Sequence, residues 1–163
     1  MKGYPRYFQP WFWFVCAALL LTGLLLVPTM LVMRFEMDVP WRLSGDARLV
    51  VATLHATAAF VMLVVCGALW SVHMRSGWWR KLQRISGSLL VALMLVLALT
   101  ALGIYYFGDA ALADGAALIH VVASLAITVP LAWHVVKGRR IQRKSVRHPF
   151  RPPGGPAAQR HKP

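Results

Sequence analysis

Four of the six histidines lie inside long apolar segments, where an ionisable side chain is costly. His55 and His73 lie in one apolar run, and His120 and His134 lie in another. An ionisable residue at membrane depth is a candidate for function, because its burial in lipid costs free energy. Imidazole is also the commonest metal ligand among side chains. The sequence therefore predicts that the four histidines are metal ligands.

The spacing of the histidines places each pair on one face of its helix. His55 and His73 are 18 residues apart, which is five turns at about 100° per residue and roughly 27 Å along the axis. His120 and His134 are 14 residues apart, which is about 40° short of four turns and roughly 21 Å. In an up-and-down bundle, His55 then faces His120 (the first pair) and His73 faces His134 (the second pair).

Facing imidazoles at two depths of a bundle are suited to ligating the iron of two six-coordinate haems. The histidines therefore predict two haems of the b type. The spacings on the two helices differ by about 6 Å along the axis, and the second pair carries this misfit. Pro130 is expected to relieve part of it by kinking the last helix, because proline removes the hydrogen bond to the Ala126 carbonyl.

Apolar blocks define the elements that must hold the histidines. The chain has 163 residues, of which 58% are hydrophobic and 14% charged, whereas soluble domains carry about 25% charged residues. Such blocks are typical of membrane spans. The sequence predicts an all-α integral membrane four-helix bundle, up-down-up-down, with a capping serine, Ser86 or Ser88, at the start of the third span. The bundle comprises residues 1–137, with spans at 11–33, 49–74, 86–107 and 116–136, and a disordered basic, proline-rich cytoplasmic tail at 138–163.

The basic residues cluster beside the apolar spans, so the net charge of +13 indicates membrane topology, and no nucleic-acid partner is expected. The N-terminus, the 75–84 turn and the tail are basic, whereas the 108–115 turn carries two Asp and no Lys or Arg. This bias predicts a multi-pass protein of a bacterial-type inner (cell) membrane with both termini cytoplasmic. Candidate cofactor-binding residues for haem propionates are basic side chains beside the spans: Arg48 on the outside, and Arg75, Arg80 and Lys81 on the inside.

The four-span layout, the four histidines and Thr22-Gly23 in LLTGLLL carry a family resemblance over roughly residues 10–140. The chain resembles small membrane-bound di-haem b-type cytochromes, a group that includes cytochrome b561-like proteins and the cytochrome b subunits of respiratory hydrogenases and formate dehydrogenases. Two histidines on each of the second and fourth spans are most similar to the cytochrome b core of quinol:cytochrome c reductases. The first span has no histidine, which departs from the bacterial b561 and hydrogenase types, and the spacing on the second span is longer than theirs.

The resemblance implies electron transport across the lipid bilayer through two bis-His haems. The implied partners are a quinone or quinol and a redox partner protein or larger respiratory complex. The chain would be an electron-transfer subunit of an oxidoreductase, with no catalytic residue of its own. Two alternatives remain: a His-based metal or proton transport protein, and a non-haem membrane anchor or assembly subunit. Transporters usually carry carboxylates within the membrane, and the predicted spans contain no Asp or Glu.

Overall fold

The chain folds into helices joined by short connectors. The computed structural model describes residues 5–147. This part of the chain contains no strand, and the predicted all-α four-helix bundle is confirmed. The elements in order are α1 (Phe8–Phe35), α2 (Gly45–Leu69), a π-helical turn (Trp70–Met74), α3 (Arg75–Trp79), α4 (Arg84–Tyr106), α5 (Ala110–Ala126) and α6 (Thr128–Arg147).

Four helical stretches are long and apolar enough to cross a membrane. Their most apolar 18-residue windows have a mean hydropathy between 2.0 and 2.5, and only 6–22% of each window is buried inside the chain. Apolar side chains that the protein itself does not cover are satisfied by lipid. The chain is therefore a multi-pass membrane protein. Its spans are Phe8–Phe35, Gly45–Trp79, Arg84–Tyr106 and Ala110–Ile141.

The ends of the spans differ from the predicted ones because local contacts extend the helices. The predicted 75–84 turn is helical up to Trp79, which leaves a shorter connector before Arg84. The fourth span begins at Ala110, inside the predicted 108–115 turn, since the Asp109 carboxylate accepts a hydrogen bond from the Leu112 N–H at 2.9 Å. A capping acceptor of this kind satisfies a donor that the first turn would otherwise leave unpaired.

The last helix continues to Arg147, although the flexible tail was expected from residue 138. Arginine, lysine and glutamine are good helix formers, and the next proline after Pro130 is Pro149. The basic segment 138–147 is therefore helical, which corrects the prediction for its backbone. The remainder of the predicted tail, residues 148–163, lies outside the described residues.

The bundle consists of two helical hairpins. α1 packs along α2, and α4 packs along α5 and along its continuation α6, while the hairpins meet where α1 contacts α5. Within residues 5–147, α2 does not pack extensively against α5 or α6, so the second and fourth spans lie across the bundle from each other. The core of the first hairpin is a small apolar cluster formed by Val15, Met62, Val65 and Leu69.

The side chain of Arg34 links three spans at one end of the bundle, through one ion pair and one hydrogen bond. One guanidinium nitrogen of Arg34 donates to the Asp114 carboxylate at 2.7 Å, and the other donates to the Ile104 carbonyl at 3.1 Å. The end of α1 is thereby held against the end of α4 and the start of α5. We call this end of the bundle, which carries the connectors 36–44 and 107–109, the connector end.

Candidate functional site

The structure brings the four histidines together as the two predicted pairs. The ring centroids of His55 and His120 are 6.4 Å apart, and those of His73 and His134 are 5.9 Å apart. The two ring planes of each pair are inclined at 72°. All four rings are partly buried, and each pair joins the second span to the fourth across the bundle.

The separation of the rings fits a metal ion between them. A bond from a metal to an imidazole nitrogen is about 2 Å long, so two imidazoles on opposite sides of one ion have ring centres roughly 6 Å apart. The observed 6.4 and 5.9 Å are of this size. Edge-to-face contacts between two rings occur at similar separations, about 4.5–7 Å, so the separation alone does not distinguish a metal site from a ring contact. The hydrogen bonds on the rings show in addition which ring nitrogens are available to a metal.

A π-helical turn in the second span places His73. The N–H of Arg75 bonds to the carbonyl of Trp70, five residues earlier. A π turn is wider than an α turn and uses more residues for the same rise, so the axial distance from His55 to His73 is shorter than in an unbroken α-helix. Part of the expected misfit between the two helices is removed in this way.

The break in the fourth span lies where Pro130 predicts it. α5, which carries His120, ends at Ala126, and α6, which carries His134, begins at Thr128. Pro130 has no N–H to donate to the Ala126 carbonyl, so the α-helical ladder is interrupted at this point. The two histidines of the fourth span therefore lie on opposite sides of an interruption at Ile127, whose backbone stays in the helical region with helical hydrogen bonds on both sides.

Threonine hydroxyls hold both rings of the first pair. Thr22 Oγ1 on α1 lies 2.9 Å from His55 Nδ1, and Thr100 Oγ1 on α4 lies 3.0 Å from His120 Nδ1. Each threonine comes from the helix packed beside the one that carries its histidine. The two hairpins thus repeat the same contact, one on each side of the first pair.

The second pair is held in the same way on one side. Ser86 Oγ lies 2.9 Å from His134 Nδ1, and Ser86 is only 2% exposed. The prediction that Ser86 or Ser88 caps the third span is wrong, since α4 already begins at Arg84 and its N-cap residue is Gln83. Among residues 5–147, no side chain is hydrogen-bonded to the ring of His73.

The three hydroxyls define the tautomer of the rings they contact. The hydroxyls of Thr22, Ser86 and Thr100, which we call the bracing hydroxyls, each donate to a backbone carbonyl nearby in the chain. A hydroxyl has one hydrogen to donate, so each oxygen accepts from the Nδ1–H of its histidine. In a neutral imidazole the other nitrogen, Nε2, then carries the lone pair that can bind a metal. In these three rings, Nε2 is therefore the nitrogen that could bind a metal.

Small residues follow the bracing hydroxyls and lie against the rings. A Cβ atom at Gly23 would be 3.2 Å from His55 Cε1, which is closer than an ordinary contact. A Cβ atom at Gly87 would be 4.0 Å from His134 Cε1, which is an ordinary van der Waals distance. The close approach of the helix backbone to the imidazole thus favours glycine beside the first pair, whereas a Cβ atom fits without crowding beside the second.

The predicted propionate partners lie exposed near the ends of the second span. Arg48 is close to the start of α2, and its guanidinium donates to the Met33 sulfur at 3.3 Å. Arg75, Arg80 and Lys81 are exposed at the opposite end. In the described part of the chain none of these four forms an ion pair, so their charges are available to an anionic group.

In the described residues, neither histidine pair has a third potential metal ligand beside it. No group of three or more His, Cys, Asp or Glu side chains with the geometry of a metal site occurs in the described residues. Cys16 and Cys66 are free thiols, and both pack against the apolar cluster between α1 and α2. Comparison of the chain with protein-family models, curated proteins and solved structures gave no match.

The sequence contained a weak indication of the bracing hydroxyls. Thr22-Gly23, Ser86-Gly87 and Thr100-Ala101 each combine a hydroxyl residue with a small one inside an apolar span. Thr22-Gly23 is part of the family resemblance, whereas the position of Ser86 near the start of a span predicts a helix cap and Thr100 has no separate signal in the sequence. Such pairs also occur in ordinary helix packing in membranes, so they do not by themselves identify a histidine partner.

Proposed function

We propose that this chain is a membrane b-type cytochrome that binds two haems, one at each histidine pair, and carries electrons across the bilayer. The observation that carries the proposal is the geometry of the two pairs. Each places two imidazoles across the bundle at the separation expected for two ligands of one metal ion, and in the described residues three of the four rings have Nδ1 occupied and Nε2 left for coordination.

The number of ligands favours haem over a bare metal ion. A zinc site takes three or four protein side chains, whereas each pair here offers two, with no third ligand beside it in the described residues. The porphyrin of a haem supplies four in-plane nitrogens, so two axial imidazoles complete the shell. The chemistry that haem supplies is reversible one-electron transfer at its iron. The chain's own residues orient the two imidazoles and surround the site with apolar side chains.

The position of the carboxylates disfavours metal or proton transport. A relay through the membrane usually includes acidic side chains within the spans. All five acidic residues lie at the connector end, either in a connector or within the first turns of α2 and α5: Glu36, Asp38, Asp46, Asp109 and Asp114. The electron-transfer proposal needs no such residue in the interior of the bundle.

Charge and topology support the remaining parts of the proposal. Basic side chains near both pairs, with Arg48 at the connector end and Arg75, Arg80 and Lys81 at the other, would bind haem propionates. The excess of Lys and Arg away from the connector end supports cytoplasmic termini in a bacterial-type inner membrane. A quinone pool and a redox partner protein or larger complex would exchange electrons with the two haems at opposite faces.

Haem stoichiometry in histidine variants tests this proposal. The purified protein should bind two haems per chain and show the reduced-minus-oxidised bands of low-spin haem b. His55→Ala or His120→Ala should remove one haem, and His73→Ala or His134→Ala should remove the other, because each iron would lose an axial ligand. Pyridine haemochromogen assays give the count for each variant. In vesicles, electron transfer from an external quinol to an internal acceptor should require both pairs.

A matched control comes from a histidine outside the described residues. His161→Ala should keep two haems and the wild-type spectrum. A folded wild-type protein without haem would refute the proposal, as would loss of the same single haem in all four variants. One haem per wild-type chain would restrict electron transfer to a single site and contradict the proposed path across the bilayer.

A further inference from the structure

Within residues 5–147, three of the four histidine rings contact a hydroxyl at Nδ1, and these contacts are distributed unequally between the two pairs. Both rings of the first pair contact a hydroxyl, Thr22 for His55 and Thr100 for His120. In the second pair only His134 has such a contact, from Ser86. His73 lies in the π-helical turn, and no hydroxyl bonds its ring in the described residues.

We infer that the bracing hydroxyls are positioning residues that set the orientation and basicity of the haem ligands, so that the first site is held on both sides and the second on one. This inference rests on the proposed haem binding. It assigns residues that do not touch a metal themselves and act through the imidazole that each contacts.

The argument begins with the donor and acceptor roles. Each bracing hydroxyl donates its hydrogen to a backbone carbonyl nearby in the chain: Thr22 to Ala18 at 2.5 Å, Thr100 to Val96 at 2.7 Å, and Ser86 to Gln83, the residue before α4, at 3.3 Å. The oxygen is thereby oriented with a lone pair toward the neighbouring helix. The Nδ1–H of the histidine faces that oxygen, and the backbone of Leu19 beside His55 and of Leu97 beside His120 offers a second acceptor on the same helix. Acceptors on one side of the ring favour the Nδ1–H tautomer and restrict the rotation of the ring.

A hydrogen bond from Nδ1–H makes the imidazole a stronger electron donor through Nε2. Stronger donation stabilises ferric iron more than ferrous iron, so it lowers the reduction potential of the haem. Removal of a bracing hydroxyl should therefore raise the potential of the haem at that pair. The other pair should keep its potential, because the two pairs are far apart along the bundle axis.

The different numbers of hydroxyls at the two pairs correspond to a difference between the sequences of α1 and α4. On α4, Thr100 follows Ser86 by 14 residues, and on α1 the residue 14 positions before Thr22 is Phe8. A phenylalanine side chain offers no oxygen to accept from an imidazole. Among residues 5–147, the second hairpin thus supplies two bracing hydroxyls and the first hairpin supplies one.

Substitutions that keep the shape of the side chain test the inference. Thr22→Val and Thr100→Val should raise the midpoint potential of one haem and shift the same low-spin electron paramagnetic resonance signal. Ser86→Ala should raise the potential of the other haem. Redox titration of the purified protein, followed in the visible spectrum, resolves the two haems, and the histidine variants identify which haem belongs to which pair.

Two sets of controls separate positioning from a structural effect. Thr22→Ser, Thr100→Ser and Ser86→Thr keep the hydroxyl and should restore the wild-type potentials. Thr57→Val removes an exposed hydroxyl that bonds only to the Thr53 carbonyl of its own helix. It should leave both potentials unchanged, although it loses the same kind of intrahelical bond.

Each result supports or overturns the inference. Loss of haem in a Val variant with recovery in the Ser variant supports it, because the hydroxyl alone differs. Wild-type haem content and unchanged potentials in all three hydroxyl-deleted variants would overturn it while haem binding stands. Equal losses in the Val and Ser variants would also overturn it. A wild-type protein without haem would instead refute the proposed function, and this inference with it.

Discussion

At the scale of single residues, the ring of His55 is restricted by a hydrogen bond to Thr22 and by the backbone of α1 at Gly23. His55 donates from Nδ1 to the Thr22 hydroxyl, and the next residue, Gly23, brings the α1 backbone against the edge of the same ring. His134 has the corresponding neighbours Ser86 and Gly87, but the backbone is farther from its ring. The two glycines therefore form a matched pair with different expected sensitivities.

Gly23→Ala should weaken haem binding at the first pair. The added methyl would lie 3.2 Å from His55 Cε1 and 3.7 Å from His55 Nδ1, so the ring must rotate away from Thr22 or the helices must separate. Changes beside a metal ligand cost roughly tenfold or more in metal affinity. Titration of haem into the apoprotein gives the affinity of each site.

Gly87→Ala is the control for this substitution. Its methyl would be 4.0 Å from His134 Cε1, so haem affinity at the second pair should stay close to that of the wild type. Both substitutions raise helix propensity by the same amount, about 1 kcal/mol. If Gly23→Ala and the wild-type protein bind haem at the first pair with equal affinity, the backbone at Gly23 does not pack as closely against the His55 ring as described.

At the scale of helices, small residues determine how closely the second hairpin packs. Ala113, Ala116 and Ala117 of α5 are buried, and Gly103 of α4 faces this part of the helix. Small side chains let helix backbones approach closely in membranes, where van der Waals packing replaces the hydrophobic driving force. The spacing of α4 and α5 also sets the reach of Thr100 to His120, which lies on the neighbouring helix.

Gly103→Ala should destabilise the bundle. The new Cβ atom would lie 2.8 Å from a ring carbon of Phe107 and 3.0 Å from the Ala116 Cβ, so α4 and α5 must move apart. Overpacking of this kind costs about 1–3 kcal/mol. Thermal unfolding of the detergent-solubilised protein, followed by circular dichroism, should show a lower midpoint.

Gly115→Ala provides the comparison on the facing helix, since a Cβ atom there meets nothing within 4 Å. Its midpoint should equal or exceed that of the wild type, because alanine favours the helix. A midpoint for Gly103→Ala as high as that of Gly115→Ala would show that α4 and α5 do not pack as closely as described.

At the scale of the whole molecule, charge is separated between the two ends of the bundle. The connector end carries all five acidic residues and three arginines, Arg34, Arg42 and Arg48, which give a formal charge of −2. The other fifteen Lys and Arg residues lie toward the opposite end or in the terminal segments. Lys and Arg near spans are retained on the cytoplasmic side during insertion.

Reporter fusions should therefore find both termini in the cytoplasm. A phosphatase that is active only outside the cytoplasm should be inactive when fused to the C-terminus and active when fused within the 36–44 connector. A fluorescent protein that matures only in the cytoplasm should give the opposite result. An active phosphatase at the C-terminus would contradict the orientation, and so would fluorescence from a fusion in the connector.

Part of the candidate site follows from the sequence because it depends on local rules. Apolar length predicts the four spans, and helical phase predicts that His55 faces His120 and that His73 faces His134. Pro130 predicts the break in the fourth span because the loss of its N–H is a covalent property. The sequence did not predict the π-helical turn before Arg75, since the segment WSVHM contains no proline or glycine that would indicate it.

The amino-acid sequence by itself determined that this is a four-span helical membrane protein with two pairs of facing histidines, because span length and helical phase need no information from distant residues. The tertiary structure alone decided which side chains hold those histidines. Thr22 and His55 are 33 residues apart, and Ser86 and His134 are 48 apart. Such contacts depend on how each helix is rotated about its axis against its neighbour, and many residues of both helices set that rotation together.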